Sequence, residues 1–316
     1  MGERSKTIGE IGENITKNFF DLIGWSHTLP NESLGCLKPQ KHATKSSKKG
    51  KRETHGIDYL YSYRSPLENK TINNVILSVK NTDAPYPNNP ANKFKEHIID
   101  LGQTIECFTG SKLKSEQLTK FMHYKKSNDI GVIFWLSQSE ETYDDVITKL
   151  ESCRVDSNLK FGSIYLVDNQ RIEFIFQVVS HLKSSFADHE ILFYYPDTSI
   201  NYADSEKKQY GKSLPVEYIN SPIIPFLLKQ GKGHIDTFCI AVSDNFDGEE
   251  MLELIQAARK YTSDLTCDFV FLFPNYVRSK HYKDVTSAIN SFENEIENEV
   301  SVMSYQPDYR SLNDAG

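Results

Sequence analysis

Apolar residues recur at helical spacing near the start of the chain, at Ile8, Ile11, Ile15, Phe19 and Leu22, with Gly24 behind them. This spacing predicts a helix over residues 7–24 whose stripe faces a core. Glu13 lies on a neighbouring strip with Gly9, Gly12, Thr16 and Phe20, where small residues let another backbone come close. Glu10 falls farther round, and for either glutamate a solvated helix face is the commoner condition. Two runs of strand-forming residues follow, Tyr59-Leu60-Tyr61-Ser62-Tyr63 and residues 75–79. The turn chemistry of Ser65 to Lys70, with Asn73-Asn74 after it, predicts an antiparallel hairpin centred near Asn69. Asp58 and Lys80 then become neighbours. Alternation places Ile76, Ser78 and Lys80 on one face, and Val75, Leu77 and Val79 on the other.

The remaining pattern alternates strands and helices. After the proline-rich loop 81–90, which can shape one wall of a cleft, a helix is predicted from Asn92 to Phe108 with the stripe Phe94, Ile98, Leu101, Ile105 and Phe108. That stripe should cover the sheet, with Glu96 and Gln103 opposite it and His97 a boundary residue on its flank. Next come a buried strand at residues 130–136, a helix from Glu140 to Cys153, a strand from Ser163 to Val167, a helix from Arg171 to Lys183 and a strand from Ile191 to Tyr195. Residues 196–213 are polar and loop-like, so a linker is expected there. Beyond it, a strand at 235–242, a helix at 249–261, a strand at 269–273 and a helix ending in Glu293, Glu295, Glu297 and Glu299 repeat the alternation. This is the pattern of layered α/β domains. The expected division is residues 1–195, a linker at 196–213 and a C-terminal α/β module at 214–316.

From Pro30 to Thr54 no apolar periodicity survives, and Lys38, Lys41, Lys45, Lys48, Lys49, Lys51 and Arg52 occur with no acid between Glu32 and Glu53. The segment reads as a mobile basic loop able to neutralise phosphates and steer nucleic acid, although such runs are often merely solvated. The whole chain, by contrast, carries a formal charge of -7 over 316 residues, which argues against a uniformly basic nucleic-acid coat. Five scattered cysteines, odd in number and without a C-x-x-C pair, favour a reducing cytoplasm and argue against both a disulfide framework and a structural zinc site. No signal-peptide core and no membrane-length apolar run are present in the sequence, so a cytoplasmic protein without membrane attachment is expected. The C-terminal part shows no phosphate loop, dinucleotide fingerprint or G-x-S-x-G elbow. It is therefore read as a partner- or substrate-binding module, with no motif for a nucleotide-dependent enzyme.

A carboxylate beside a lysine at the open end of a hairpin suits phosphodiester hydrolysis. A divalent metal there polarises phosphate and lowers the pKa of water, and a lysine orients that water or offsets developing charge. The same pair on its own also reads as an ordinary surface salt bridge.

Gly12-Glu13 in the first helix, Gly24-Trp25 at its end, Gly56-Ile57-Asp58, Ser78-Val79-Lys80, then a covering helix and a buried strand together resemble the PD-(D/E)xK nuclease superfamily. The resemblance covers roughly residues 7–136 and implies a restriction-endonuclease-like αβββαβ core followed by the second α/β module. It implies a metal-binding role for Asp58, Glu13 and the Val79 carbonyl, a catalytic role for Lys80, and Mg2+ or Mn2+ as cofactor. More faintly, the chain resembles nuclease subunits of two-protein prokaryotic antiphage systems, which implies DNA as substrate and a second protein subunit as partner; a homo-oligomer is also compatible. Ser78 departs from the pattern, which has aspartate or glutamate there, and a hydroxyl is a much poorer ligand for a hard dication. Three readings stay open: Glu13 supplies the second carboxylate, another such as Asp83 or Glu106 does, or the site is inactive and the fold serves as a DNA-binding scaffold.

Overall fold

In the computed structural model the described residues are all but Met1 and residues 45–49, 140–144, 156–157, 199, 202–207, 232, 264, 266, 293–298 and 308–316. They form two compact units, Met1–Ile172 and Glu173–Gly316. The division falls earlier than the 196–213 linker expected from composition, and the strand expected near residues 191–195 belongs to the second unit's sheet.

The first unit has the order α1 (Gly2–Leu22), β1 (Leu29–Gly35), β2 (Thr54–Arg64), β3 (Thr71–Thr82), α2 (Ala91–Thr109), α3 (Lys112–Leu118), β4 (Lys126–Ser137) and β5 (Ser163–Val167). Its five strands lie side by side in sequence order. β1, β2 and β3 form an antiparallel meander; β4 and β5 add in parallel, as the crossover through α2 requires. The predicted hairpin is present, with Tyr59 opposite Leu77 and Arg64 opposite Ile72. β3 starts earlier than expected, because Asn73 and Asn74 lie inside the strand. Their amides are satisfied across the sheet: Ser62 Oγ donates to Asn74 Oδ1 at 2.8 Å, and Asn128 Nδ2 donates to Asn73 Oδ1 at 3.1 Å. Paired in this way, buried amides cost little that a turn would have spared.

Helix α1 covers one face of the sheet. Phe20 packs edge-on against Tyr59 and Phe134, and Trp25 stacks between Phe20 and Tyr61. The buried positions are Gly12, Thr16, Phe19, Phe20 and Ile23, whereas Ile11 stays 42% exposed. The expected stripe is thus rotated toward the small residues. The reason is close approach: a Cβ on Gly12 would stand 2.5 Å from Asn81 Cβ on β3. Helix α2 covers the other face, where Ile98, Leu101 and Ile105 join Ile57, Leu60, Ile76, Ile133 and Trp135 in one core.

Residues 30–35, expected to belong to a mobile basic loop, instead form β1 with Leu29 on the sheet edge. The described residues that follow are anchored too. Cys36 N–H donates to Glu53 O at 2.8 Å, and Arg52 N–H to Pro39 O at 2.9 Å. Between Asp145 and Cys153 the predicted helix is only a 3-10 turn, Thr148–Leu150. The earlier part of that prediction lies outside the described residues.

The second unit contains α4 (Asn169–Ser185, which begins at the end of the first), β6 (Glu190–Tyr194), β7 (Tyr210–Gly211), β8 (Ile223–Lys229), β9 (Asp236–Val242), α5 (Gly248–Tyr261), β10 (Cys267–Phe273), α6 (Arg278–Asn290) and β11 (Val300–Ser304). The sheet order is β11-β10-β9-β8-β6-β7, parallel from β11 to β9 and antiparallel beyond. α5 begins at Asp247, whose carboxylate accepts the N–H groups of Glu249 and Glu250. Of the predicted acidic helix end, Glu293, Glu295 and Glu297 lie outside the described residues, and Glu299 follows α6 just before β11. Among the described residues no helix is long and apolar enough to cross a membrane.

Candidate active site

Strands β2 and β3 are paired up to Tyr59 and Leu77 and no further. Beyond that pair, the Asp58 carboxylate takes over the role of a ladder partner: Oδ2 accepts the Val79 N–H at 2.6 Å. A local irregularity accompanies this. Ile57 and Leu60 both face the α2 core, so the alternation of side chains slips across Asp58 and Tyr59. Because the N–H and C=O of one strand residue leave by the same edge, the Val79 carbonyl also points to the edge where β2 has parted. One carboxylate and one main-chain carbonyl are thereby presented together at a sheet opening.

Lys80 shares a face with Ser78 and Ile76, toward α2, as the alternation predicts. Its Nζ lies 3.9 Å from Asp100 Oδ2, and Asp100 Oδ1 also receives Arg52 at 2.7 Å. Asp100 thus orients the lysine and ties residue 52 to the same place. It went unread in the sequence because it sits on the helix flank, one turn from the apolar stripe, with nothing to distinguish it from a solvated acid. His97, expected as a boundary residue, is buried and stands edge-on to Trp135 with ring centroids 5.2 Å apart. Burial, with Lys80 and Lys93 nearby, lowers its pKa from 6.5 to about 4, so the ring is neutral at physiological pH.

Glu13 is exposed on α1, on the side of the sheet opposite α2. Its backbone carbonyl accepts the Tyr59 hydroxyl at 3.4 Å. Burial raises the pKa of that hydroxyl, and the charges of Glu13 and Asp58 both add to the effect, so the two carboxylates act on one phenol. Ser78 is only 9% exposed, with its side chain on the α2 face. The oxygen-only set of Asp58, Val79 carbonyl and Glu13 is of the kind that hard divalent cations take.

The alternative carboxylates stand elsewhere. Glu106 is engaged by Lys38 at 2.5 Å, Lys41 at 3.2 Å and His42 at 2.8 Å. These bonds outweigh its burial and hold its carboxyl down at about 2. Asp83 is exposed in the loop after β3, and Tyr86 pins that loop by donating to Trp135 O at 2.6 Å. Of the basic residues, Lys38, Lys41 and Arg52 are thus committed to acids on α2, Lys51 is exposed, and Lys45, Lys48 and Lys49 lie outside the described residues.

A second cluster was missed altogether. Cys36, His42, His55 and Cys107 each direct a ligand-type atom to one point, all within 4.8 Å of one another. No short spacing links them, which is why the scattered cysteines argue in sequence against a structural zinc site. The fold gathers them from β1's end, the basic segment, the start of β2 and α2.

Comparison with known proteins places the first unit in a family. No curated protein matches the chain. A family model described as the GAPS4 protein PD-(D/E)XK nuclease domain matches residues 1–171, ending one residue short of the first compact unit. That match spans more than half of the 316 residues, and it covers α1, the β1–β3 meander, α2 and β4, the elements that carry Glu13, Asp58, Val79 and Lys80. The chain belongs to the GAPS4 PD-(D/E)XK nuclease-domain family, a nuclease family of an antiphage defence system.

Proposed function

We propose that the protein is a metal-dependent deoxyribonuclease that cuts phage or other foreign DNA together with a partner subunit in the cytoplasm. The observation that supports this reading is the opening of the β2–β3 ladder, where the Asp58 carboxylate accepts the Val79 N–H one residue before Lys80. Nucleases of this superfamily generally use divalent metals. Asp58, the Val79 carbonyl and Glu13 would hold Mg2+ or Mn2+. The ion, when bound, polarises the phosphate and makes the attacking water more acidic.

The chain's own groups divide the remaining work. Asp58 is pre-oriented, since its Oδ2 is fixed by the Val79 N–H, and its other oxygen would take the ion. Lys80, steadied by Asp100, places a positive charge where negative charge develops on phosphorus and orients water for attack. Neutral His97 beside it adds no competing charge. Exposed Lys51 gives the backbone of DNA a favourable approach. Glu13 replaces the carboxylate that Ser78 lacks, and the exposure of Glu13 leaves it free to turn toward an ion.

Cleavage of plasmid and linear DNA with Mg2+ or Mn2+ by wild type, Asp58→Ala and Lys80→Ala tests the reading. Equal cleavage by all three proteins would sink it. The missing carboxylate at buried Ser78 favours a second reading, an inactive DNA-binding scaffold. That reading predicts salt-sensitive DNA binding with no metal-dependent product at any protein concentration.

A further inference from the structure

We propose that Cys36, His42, His55 and Cys107 form a structural zinc site, separate from the nuclease centre and independent of the reading given for it. All four atoms lie within 4.8 Å of one another, and four of the six distances among them match those of a tetrahedron around one ion. Cys36 Sγ and Cys107 Sγ are 3.9 Å apart; each lies 3.4 Å from His42 Nδ1; and His42 Nδ1 lies 3.3 Å from His55 Nε2. Bonds of about 2.3 Å to sulfur and about 2.05 Å to nitrogen at tetrahedral angles give edges of about 3.8 Å, about 3.5 Å and about 3.3 Å for the same three kinds of pair.

The outer side of each ring is equally suited. His42 Nε2 lies 2.8 Å from Glu106 Oε2 and donates to it, which leaves Nδ1 to serve an ion as ligand on the inner side. His55 Nδ1 lies 3.3 Å from Thr104 Oγ1. That hydroxyl gives its own hydrogen to Asp100 O, so it accepts from His55 and leaves Nε2 unprotonated. Two imidazole nitrogens therefore face each other beside two sulfurs, an arrangement that needs either a shared proton or a metal ion between them. Leu37 N–H donates to Cys107 Sγ at 3.3 Å, a contact that stabilises a thiolate. Two sulfurs and two imidazoles select zinc over the hard cations that suit the Asp58 site.

His42 and His55 are fully buried, and Cys107 is as well. The ion would fasten the end of β1, the basic segment and the start of β2 to α2. His55 is three residues from Asp58, and Cys107 lies on the same helix as Asp100, so the site would fix the frame of the catalytic hairpin from behind.

Metal analysis of the full chain, purified without added metal or chelator, tests this. One equivalent of zinc, retained in Asp58→Ala and lost in Cys107→Ser, is expected, with X-ray absorption showing two sulfur and two nitrogen neighbours. Should Cys107→Ser fail to fold, the absorption spectrum of the wild type decides alone. Removing the zinc with a strong chelator should lower the Tm. Three results would overturn the proposal: no bound zinc and no thiolate-to-metal charge-transfer band on Co2+ addition, zinc without sulfur neighbours, or a Cys36–Cys107 disulfide in protein prepared under reducing conditions.

Discussion

The Asp58 carboxylate and the Val79 amide are joined by a 2.6 Å hydrogen bond at the point where the ladder between β2 and β3 ends. One oxygen of Asp58 thus has a structural task, and the proposed metal-binding task falls to the other. Asp58→Asn separates the two tasks, because an amide oxygen still accepts the Val79 N–H while the charge is gone. Stability should change by less than about 1 kcal/mol, the net value of one hydrogen bond. Metal-dependent cleavage should fall at least ~10²-fold, as for the loss of one preorganised electrostatic group. Thermal unfolding and cleavage rates on the same preparation check both.

Ser78 and Glu13 can be traded against each other. If Glu13 stands in for the carboxylate missing at position 78, Glu13→Ala should lower cleavage by ~10²-fold, and adding Ser78→Glu should recover at least roughly tenfold of it. Cleavage rates of the two single variants and the double variant decide. A Glu13→Ala protein as active as wild type would remove Glu13 from the site.

Two helix glycines should respond in opposite directions. A Cβ at Gly12 falls 2.5 Å from Asn81 Cβ, while one at Gly9 meets nothing within 4 Å. Gly12→Ala must push α1 away from β3 and should cost about 1–3 kcal/mol, as overpacking does. Gly9→Ala should be neutral or gain about 0.5–1 kcal/mol from reduced chain entropy. Denaturant midpoints give the comparison, and because Gly12 adjoins Glu13, its variant should also lose cleavage.

Much of this frame is written in local patterns. The hairpin follows from its strand runs and turn, the α2 stripe from its period, and the order of α and β elements from their alternation. Contacts set at long range escaped. The close approach at Gly12 is legible in its small-residue strip, but that Asn81 is the partner, and that α1 turns this strip inward, is not. Asn73 and Asn74 read as loop because their partners, Ser62 and Asn128, lie on other strands. β1 was hidden in a polar, lysine-flanked segment whose pairing with β2 is main-chain. Asp100 reads as a surface acid until β3 brings Lys80 to it, and the Cys36–His42–His55–Cys107 cluster exists only once the topology has closed.

His97 gives the protein a pH dependence of defined sign. Burial first, then Lys80 and Lys93, press its pKa from 6.5 to about 4 in the native state. Below about 6.5 the unfolded chain takes up a proton that the native ring refuses. Stability from this group is therefore complete above that pH, is lost as pH falls toward 4, and levels off below. His97→Phe should flatten that part of a Tm–pH curve; an unchanged slope would contradict the assignment.

The central claim is that Glu13, Asp58 and the Val79 carbonyl share one divalent ion beside Lys80. Anomalous diffraction from crystals soaked in Mn2+ tests it most directly. A manganese peak is expected within about 2.5 Å of an oxygen from each of the three residues. A structure with no peak there, or with the Glu13 carboxylate more than about 6 Å from that of Asp58, would contradict it.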